Sequence, residues 1–368
     1  MTSIAALSGR VRFSITYHPA RQQAATALAT ALGRDADVRL VAADPAIQST
    51  LDTIGRALAA DGATCPYEVI LCDDVSLSDT FADSLGSLLS SVTPDSIVSL
   101  FAPAHSETAA LGRVLWADSG PGLYPVVDAY APCTGLAMCR DTASDASAYL
   151  RAQFGLGSWR PDDRLLHEYA RKAGLRKLVA VPNLIDHDRY RSLSLLGHDL
   201  PGLRRSMLFA DDAPGTAPER WRLAAVPDGR EVVAPYLHWD GLTEQCVRWT
   251  EQNGGRLCGL VDLVHERSGR DLRPAAPAAP DNSAPPDGFD CEWCAEALRR
   301  HAAQLGRALR WLDEWSTAAV EVPPTLLASA VFGATRKYHT REETEGAVPD
   351  FVSTVRESRG LGFLTNMR

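Results

Sequence analysis

The stretch Tyr67-Glu-Val-Ile-Leu-Cys-Asp-Asp-Val75 sets the fold class of this chain. Mostly apolar, partly β-branched residues run straight into two adjacent carboxylates. Such a run is the pattern of a strand buried in the middle of a parallel sheet. Sheets of that kind bind ligands just outside the carboxyl ends of their strands. Two acids placed there repel each other unless a cation joins them. A divalent metal carrying a phosphate is such a cation.

Working outward, the same alternation of strand and helix recurs on both sides. Val11-Arg-Phe-Ser-Ile-Thr16 alternates apolar and polar residues and reads as a first strand, ending at Tyr17-His18-Pro19. An Ala-rich helix follows over about 20–32, closed by Gly33. Residues 37–42 are a second strand ending in Asp44-Pro45, and 47–60 a second helix. After the opening stretch, 78–89 reads as a helix that Ser76 and Ser78 can cap, and 96–101 as a strand. Residues 102–122 read as a loop with a short helix. An extended piece over 124–130, a turn and strand over 131–138 and a helix over 143–154 come next. A helix over 161–173 and a strand over 177–181 complete the pattern. The expectation is an α/β doubly wound domain with a central, mostly parallel sheet.

Composition limits what this domain can do. The hydrophobic fraction of 45% and charged fraction of 23% are those of a globular protein. No apolar run approaches the roughly 18 residues of a transmembrane helix. The start of the chain lacks a basic segment followed by an apolar core, so it does not read as a secretion signal. The expected compartment is the cytoplasm. A net charge of −9 argues against a nucleic-acid partner, whose binding rests on cationic contacts to phosphate. Of the eight cysteines, most sit in apolar segments and read as small buried residues rather than disulfides.

Four separated features then fall in one order: Asp73-Asp74, Gly135, Asp162-Asp163 and His187. With their surroundings, Ile-Leu-Cys-Asp-Asp-Val (70–75), Cys-Thr-Gly-Leu-Ala (133–137), Trp-Arg-Pro-Asp-Asp-Arg-Leu-Leu (159–166) and Val-Pro-Asn-Leu-Ile-Asp-His (181–187), they resemble the GT-A glycosyltransferases. These are nucleotide-sugar-dependent enzymes with a Rossmann-like core. The resemblance covers about residues 10–210. It implies a catalytic domain over 1–210 and a mixed, partly helical region on the acceptor side over 211–368, with a flexible Pro/Ala-rich segment near 271–287.

The resemblance assigns roles residue by residue. Asp74 would bind Mn²⁺ or Mg²⁺, Asp73 would reach the metal or the ribose, and His187 would be a further metal ligand, with Asp186 and Asp188 as alternatives beside it. Hard carboxylate oxygens and a neutral imidazole suit these ions. The family often carries a third acid where Cys72 stands here. Gly135 would lie against the donor sugar, where a glycine permits close backbone approach. Asp163 would be the general base of an inverting transfer, with Asp162 beside it, although Pro-Asp-Asp also suits a helix start. Thr16, Tyr17 and Asp44 would contact the nucleoside. Arg21 is a candidate phosphate contact, although an arginine in the first turn of a helix is more often solvated. The implied reaction moves a sugar from a nucleotide diphosphate, UDP by default, to an acceptor hydroxyl.

Two other readings compete. A nucleotidyltransferase shares the core and the paired acids, but its loop after the first strand is usually rich in glycine and basic residues, and Tyr17-His-Pro-Ala-Arg-Gln22 has no glycine. A non-catalytic binding protein on a decayed core is favoured only by Cys72. Farther on, Cys291-Glu-Trp-Cys294 is half of a zinc-site pattern that would need His301 and another ligand. Residues 211–219 read as a linker and 230–263 as mixed strand and helix. A helix over 294–315 presents Leu298, Ala302, Leu305, Leu309 and Leu312 on one face. Tyr236, Trp239 and Trp249 serve either packing or acceptor contact.

Overall fold

A computed structural model describes residues 7–47, 49–59, 64–158, 160–187, 205–213, 215, 218–224, 231–238, 243–250, 254–259, 291–313, 321–335 and 341–360. The chain groups into two compact units. The first comprises Met1–Ala102, Pro121–Asp199 and Ser206–Ala224, and the second Pro103–Gly120, Leu200–Arg205 and Ala225–Arg368.

The first unit is built on a seven-stranded mixed sheet. Its strands in chain order are β1 (Val11–Tyr17), β2 (Asp37–Ala42), β3 (Tyr67–Cys72), β5 (Ser96–Ser99), β6 (Gly122–Pro125), β7 (Gly135–Cys139) and β8 (Arg176–Val181), arranged in space as β2-β1-β3-β7-β5-β8-β6. β1 runs parallel to β2 and β3, and β5 parallel to β8. β7 is antiparallel to both of its neighbours, β3 and β5, and β6 is antiparallel to β8. Two short strands, β4 (Ser76–Leu77) and β9 (Ile185–Asp186), form a separate antiparallel ladder.

Helices cover both faces of the sheet, because successive strand residues point to opposite sides. Phe13, Ile15, Val69 and Leu71 pack with Leu28 of α1 (Gln22–Ala31) and with Leu85 and Leu88 of α3 (Phe81–Leu89). On the other face Ile70 and Met138 pack with Ile54 of α2 (Thr50–Ala57), Leu150 of α5 (Arg140–Gly155) and Leu165 of α6 (Asp162–Lys172). The α/β class with a mostly parallel core is therefore observed.

One polar cluster sits inside this unit. Glu68 is 2% exposed and its Oε1 accepts from Ser14 Oγ at 2.6 Å, while Arg39 donates to Ser14 Oγ at 3.2 Å. Burial pushes the Glu68 carboxyl up to about 7, against the opposing influence of Ser14, Arg39 and Arg12. The unfolded chain therefore loses this proton first. Stability falls as pH rises from about 4.5 through about 7, by about 3 kcal/mol from this one group. Glu68→Gln keeps the acceptor oxygen and removes the titration. Urea midpoints at pH 5 and pH 8 should differ less in the variant than in the wild type, and the variant should be the more stable at pH 8.

Several expectations need correction. The helix expected from residue 78 begins at Phe81 with Thr80 at its N-cap, and Ser76 belongs to β4, so neither Ser76 nor Ser78 caps it. The stretch read as a loop with a short helix contains α4 (Glu107–Ser119), thirteen residues long with Ser106 accepting from Ala109 N. Thr108 to Ala117 are all buried, so no polar face alternates with an apolar one. The described ends of the expected linker over 211–219 are tied to the first unit: Asp211 Oδ1 accepts from Asp79 N at 2.9 Å, and Glu219 O accepts from Ser87 Oγ at 2.8 Å. Just beyond it Trp221 is buried with its Nε1 donating to Ser84 O at 3.1 Å, and Ala224 N donates to Leu123 O at 2.8 Å.

In the second unit the region read as mixed is an antiparallel sheet of β10 (Val232–His238), β11 (Thr243–Thr250) and β12 (Gly254–Gly259). It is followed by α7 (Cys291–Asp313), α8 (Pro324–Thr335) and α9 (Arg341–Gly360). Leu298, Ala302, Leu305 and Leu309 are buried, as the helical spacing requires. α4 belongs to this unit: Arg113 Nε donates to Ser329 Oγ and Trp116 Nε1 to Glu321 O, each at 3.0 Å. Tyr236 and Trp249 are buried, and Trp239 lies outside the described residues. His301 is buried against Phe351 at 5.9 Å between ring centroids, and the side chains of Cys291 and Cys294 lie outside the described residues. So does the Pro/Ala-rich segment over 271–287. The described cysteines 65, 72, 133, 139 and 246 are free thiols. No helix among the described residues is long and apolar enough to cross a membrane.

Candidate functional site

The first unit has a topological switch point. From β1 the chain moves to β2 on one side, then crosses to β3 on the other. Connections leaving β1 and β3 in opposite senses open a crevice at their carboxyl ends, where open α/β sheets bind ligands. Tyr17-His18 and Asp73-Asp74 stand there. Asp73 N donates to Thr16 O at 3.0 Å, and His18 N donates to Asp73 Oδ2 at 3.0 Å. The His18 side chain accepts from Ala20 N and Pro19–Arg21 form one 3₁₀ turn. That turn brings Arg21 back over the acids. A single guanidinium nitrogen, Nη1, donates to Asp73 Oδ1 at 3.2 Å and to Asp74 Oδ2 at 2.9 Å. The three side chains are 11%, 7% and 12% exposed.

His187 arrives by a different route. β9 pairs with β4 in the register Ser76↔Asp186 and Leu77↔Ile185. β4 follows Asp74 almost directly, so the ladder sets the residue after Asp186 beside that carboxylate. His187 Nε2 lies 2.9 Å from Asp74 Oδ2. Phe101 meets the imidazole edge-on at 5.8 Å. Asp186 accepts instead from backbone, His187 N at 2.9 Å and Ser206 N at 2.7 Å. Asp188 lies outside the described residues.

The two adjacent acids are electrostatically unlike. Burial would raise the Asp74 carboxyl, but the hydrogen bond and charge of His187 and of Arg21 outweigh it and hold it at about 2. Burial and the neighbouring Asp74 raise Asp73, against the His18 N–H and Arg21. Asp74 therefore stays ionised across any physiological pH.

Asp162 and Asp163 occupy the first turn of α6, with Pro161 at the N-cap and making no side-chain cap bond. Asp162 Oδ1 accepts from Thr50 Oγ1 at 2.8 Å. Asp163 Oδ1 accepts from Arg164 N at 2.7 Å. Burial, then the charge of Asp162, push the Asp163 carboxyl up to about 6. Cys72 connects the two acidic pairs. Its Sγ lies 3.7 Å from Cys133 O, and its thiol is raised by burial and then by Asp74, with further contributions from Asp162 and Asp73. Cys133 is raised by burial and then by Asp162 and Asp163. An acid in place of Cys72 would stand among three carboxylates, Asp73, Asp74 and Asp162, and a neutral thiol avoids that repulsion.

The remaining candidates are placed as follows. Thr16 is buried and its Oγ1 donates to Leu71 O at 3.3 Å. Tyr17 is half-buried against the core of the first unit. Asp44, at the end of the neighbouring strand, accepts from Ala46 N at 2.8 Å and so shapes its own turn. Gly135 opens β7, and its carbonyl accepts from Leu100 N at 2.9 Å. A Cβ at Gly135 would overlap Ile185 Cδ1, so the buried end of that side chain would have to move aside. Gly135→Ala should cost about 1–3 kcal/mol in chemical denaturation. It should also disturb His187, two residues beyond the displaced Ile185, visible as a shifted imidazole resonance.

Asp74 and His187 form a pair of donors suited to a hard divalent cation. Their 2.9 Å separation is close to the ~3.0 Å between adjacent ligands of an octahedral ion with bonds of about 2.1 Å. Such ions usually take one or two protein carboxylates and complete their shell with phosphate oxygens and water. Among the described residues no group of three or more His, Cys, Asp or Glu stands ready to hold a metal. Asp73 is turned to His18 N and Arg21. Arg21 is thus the site residue that pattern reading undervalued. Its position just past the first strand was visible, but its pairing with acids far along the chain was not. No protein-family model matches this chain, and no curated protein matches it.

Proposed function

We propose that this chain is a metal-dependent glycosyltransferase on a GT-A-type core. It transfers a sugar from a nucleotide diphosphate, UDP-sugar by default, to an acceptor hydroxyl with inversion. The observation that carries this reading is the contact between Asp74 Oδ2 and His187 Nε2 at the carboxyl edge of the sheet, 2.9 Å long. Residues so distant in sequence meet there through the two-residue ladder of β4 and β9.

In this mechanism Thr16, Tyr17 and Asp44 line the nucleoside end, on the loops that follow β1 and β2. Asp74 and His187 would hold the divalent ion, which would supply positive charge to offset that of the departing diphosphate. Asp163 takes the proton of the acceptor hydroxyl as that oxygen bonds to the anomeric carbon and the bond to the diphosphate breaks. A base near 6 is mostly ionised at pH 7 and still accepts a proton readily. Free thiols at the described cysteines suit the reducing cytoplasm, where this reading places the enzyme.

Thermal-shift titration with UDP, with and without Mn²⁺, tests the proposal. A stabilisation that requires both supports it, and no response to any nucleotide overturns it. One observation favours a second reading. Arg21 already supplies a cation to both acids, as a nucleotide-binding protein without a metal would need. UDP binding indifferent to Mn²⁺, with no donor hydrolysed or transferred, would favour that reading.

A further inference from the structure

We infer that Arg21 is an internal counter-ion lock: it holds the Asp73–Asp74 pair until a divalent metal displaces it, and it then turns to the diphosphate, so that metal and nucleotide bind as a coupled pair. This rests on the metal-dependent reading above.

The geometry supplies each part. One nitrogen, Arg21 Nη1, bridges both carboxylates, and Asp74 Oδ2 receives it at 2.9 Å on the same oxygen that faces His187 Nε2 at the same distance. A metal bound through Asp74 Oδ2 and His187 Nε2 would compete for that oxygen and repel the guanidinium. Leaving without a replacement is equally unfavourable, because two adjacent carboxylates with 7% and 12% exposure would then face each other uncompensated. Neither cation therefore has an easy independent exchange. A diphosphate changes this. It needs more positive charge than one divalent ion offers, and a guanidinium matches phosphate oxygens bidentately. Arg21 lies one short turn past β1, beside the acids at the crevice, so a side-chain rotation would carry its guanidinium from the carboxylates to a diphosphate bound there. Metal alone must evict a buried ion pair, whereas metal with nucleotide gives the evicted charge a destination. Linkage then makes the effect reciprocal: each ligand strengthens the other by the same factor.

The test is Mn²⁺ binding, read by calorimetry and by the free-ion paramagnetic resonance signal, on the full chain with and without saturating UDP. In the wild type UDP should tighten Mn²⁺ at least about tenfold, which is a coupling of about 1.4 kcal/mol. In Arg21→Gln, Mn²⁺ alone should bind at least about tenfold tighter than to the wild type, UDP should bind more weakly, and the coupling factor should fall toward one. Arg21→Met, which keeps the length of the stem without the charge, should behave alike and serves if the glutamine variant does not fold. Equal or weaker Mn²⁺ binding in both folded variants overturns the lock and leaves the metal site standing. A wild-type coupling factor of one overturns it without any variant. No Mn²⁺ binding to wild type or variants, with or without UDP, removes the metal-dependent reading and the lock with it.

Discussion

Replacing Asp74 with alanine should abolish the Mn²⁺-dependent part of UDP binding and lower turnover by at least about a thousandfold, or about 4 kcal/mol of transition-state stabilisation. Asp74 is the carboxylate on which two partners converge: one of its oxygens meets both His187 and Arg21. Without it, the proposed metal position keeps a lone imidazole and Arg21 keeps Asp73. The cost in stability should be smaller than the roughly 3–5 kcal/mol usual for one partner of a buried ion pair, because removing Asp74 also relieves its repulsion of Asp73. Asp74→Asn separates the two effects. It keeps the shape, loses the charge, and should fail in metal-dependent binding while it still folds, with a midpoint at neutral pH below that of the wild type, because a carboxyl held down to about 2 stabilises the fold as the anion. Calorimetric titration of UDP with and without Mn²⁺ reads this directly. A variant that retained the metal-dependent increment would exclude Asp74 as the ligand.

The second large effect belongs to Asp163. A general base must be ionised to act, so if Asp163 is the proposed base, its carboxyl raised to about 6 should make kcat/KM fall as pH drops through about 6, with a one-proton slope. Asp163→Asn should remove that limb and reduce turnover by about 10²–10⁴-fold while UDP affinity is kept. The sign of its stability change is also fixed. The folded carboxyl is raised above the unfolded one, so Asp163 destabilises the fold progressively as pH rises from about 3.8 through about 6. The asparagine variant should therefore be at least as stable as the wild type at pH 7. Lost activity with retained or gained stability marks a residue kept for function rather than packing. If the acidic limb persists in the variant, another group is the base.

The parts of the fold legible in the sequence were those in which a local pattern has one meaning. The alternation in Val11–Tyr17 and the apolar run in Tyr67–Cys72 specify strands, and their helices follow from Gly and Pro punctuation. α4 escaped because a helix buried on all sides shows no stripe. The β4–β9 ladder escaped because two residues on each side carry no period. That ladder is what joins His187 to Asp74, so the residues of the candidate site were readable while the device that assembles them was not. Arg21 shows the same limit from the other side. Its neighbours in sequence suggested a solvated side chain, and its neighbours in space are two acids.

The placement of α4 has a consequence for how the protein is made. Its apolar residues leave the ribosome early, yet its companions in the second unit, from β10 to α8, are encoded at Val232 and beyond. At cellular elongation rates that interval is roughly ten seconds. Throughout it, a helix whose residues Thr108 to Ala117 are all buried in the finished protein has none of those later segments to cover it. Until those segments of its own unit are made, its apolar residues are a surface that chaperones would recognise. Genetic dissection must respect the same order: a product ending near residue 210 carries α4 without its cover and should aggregate, however sound its seven-stranded sheet.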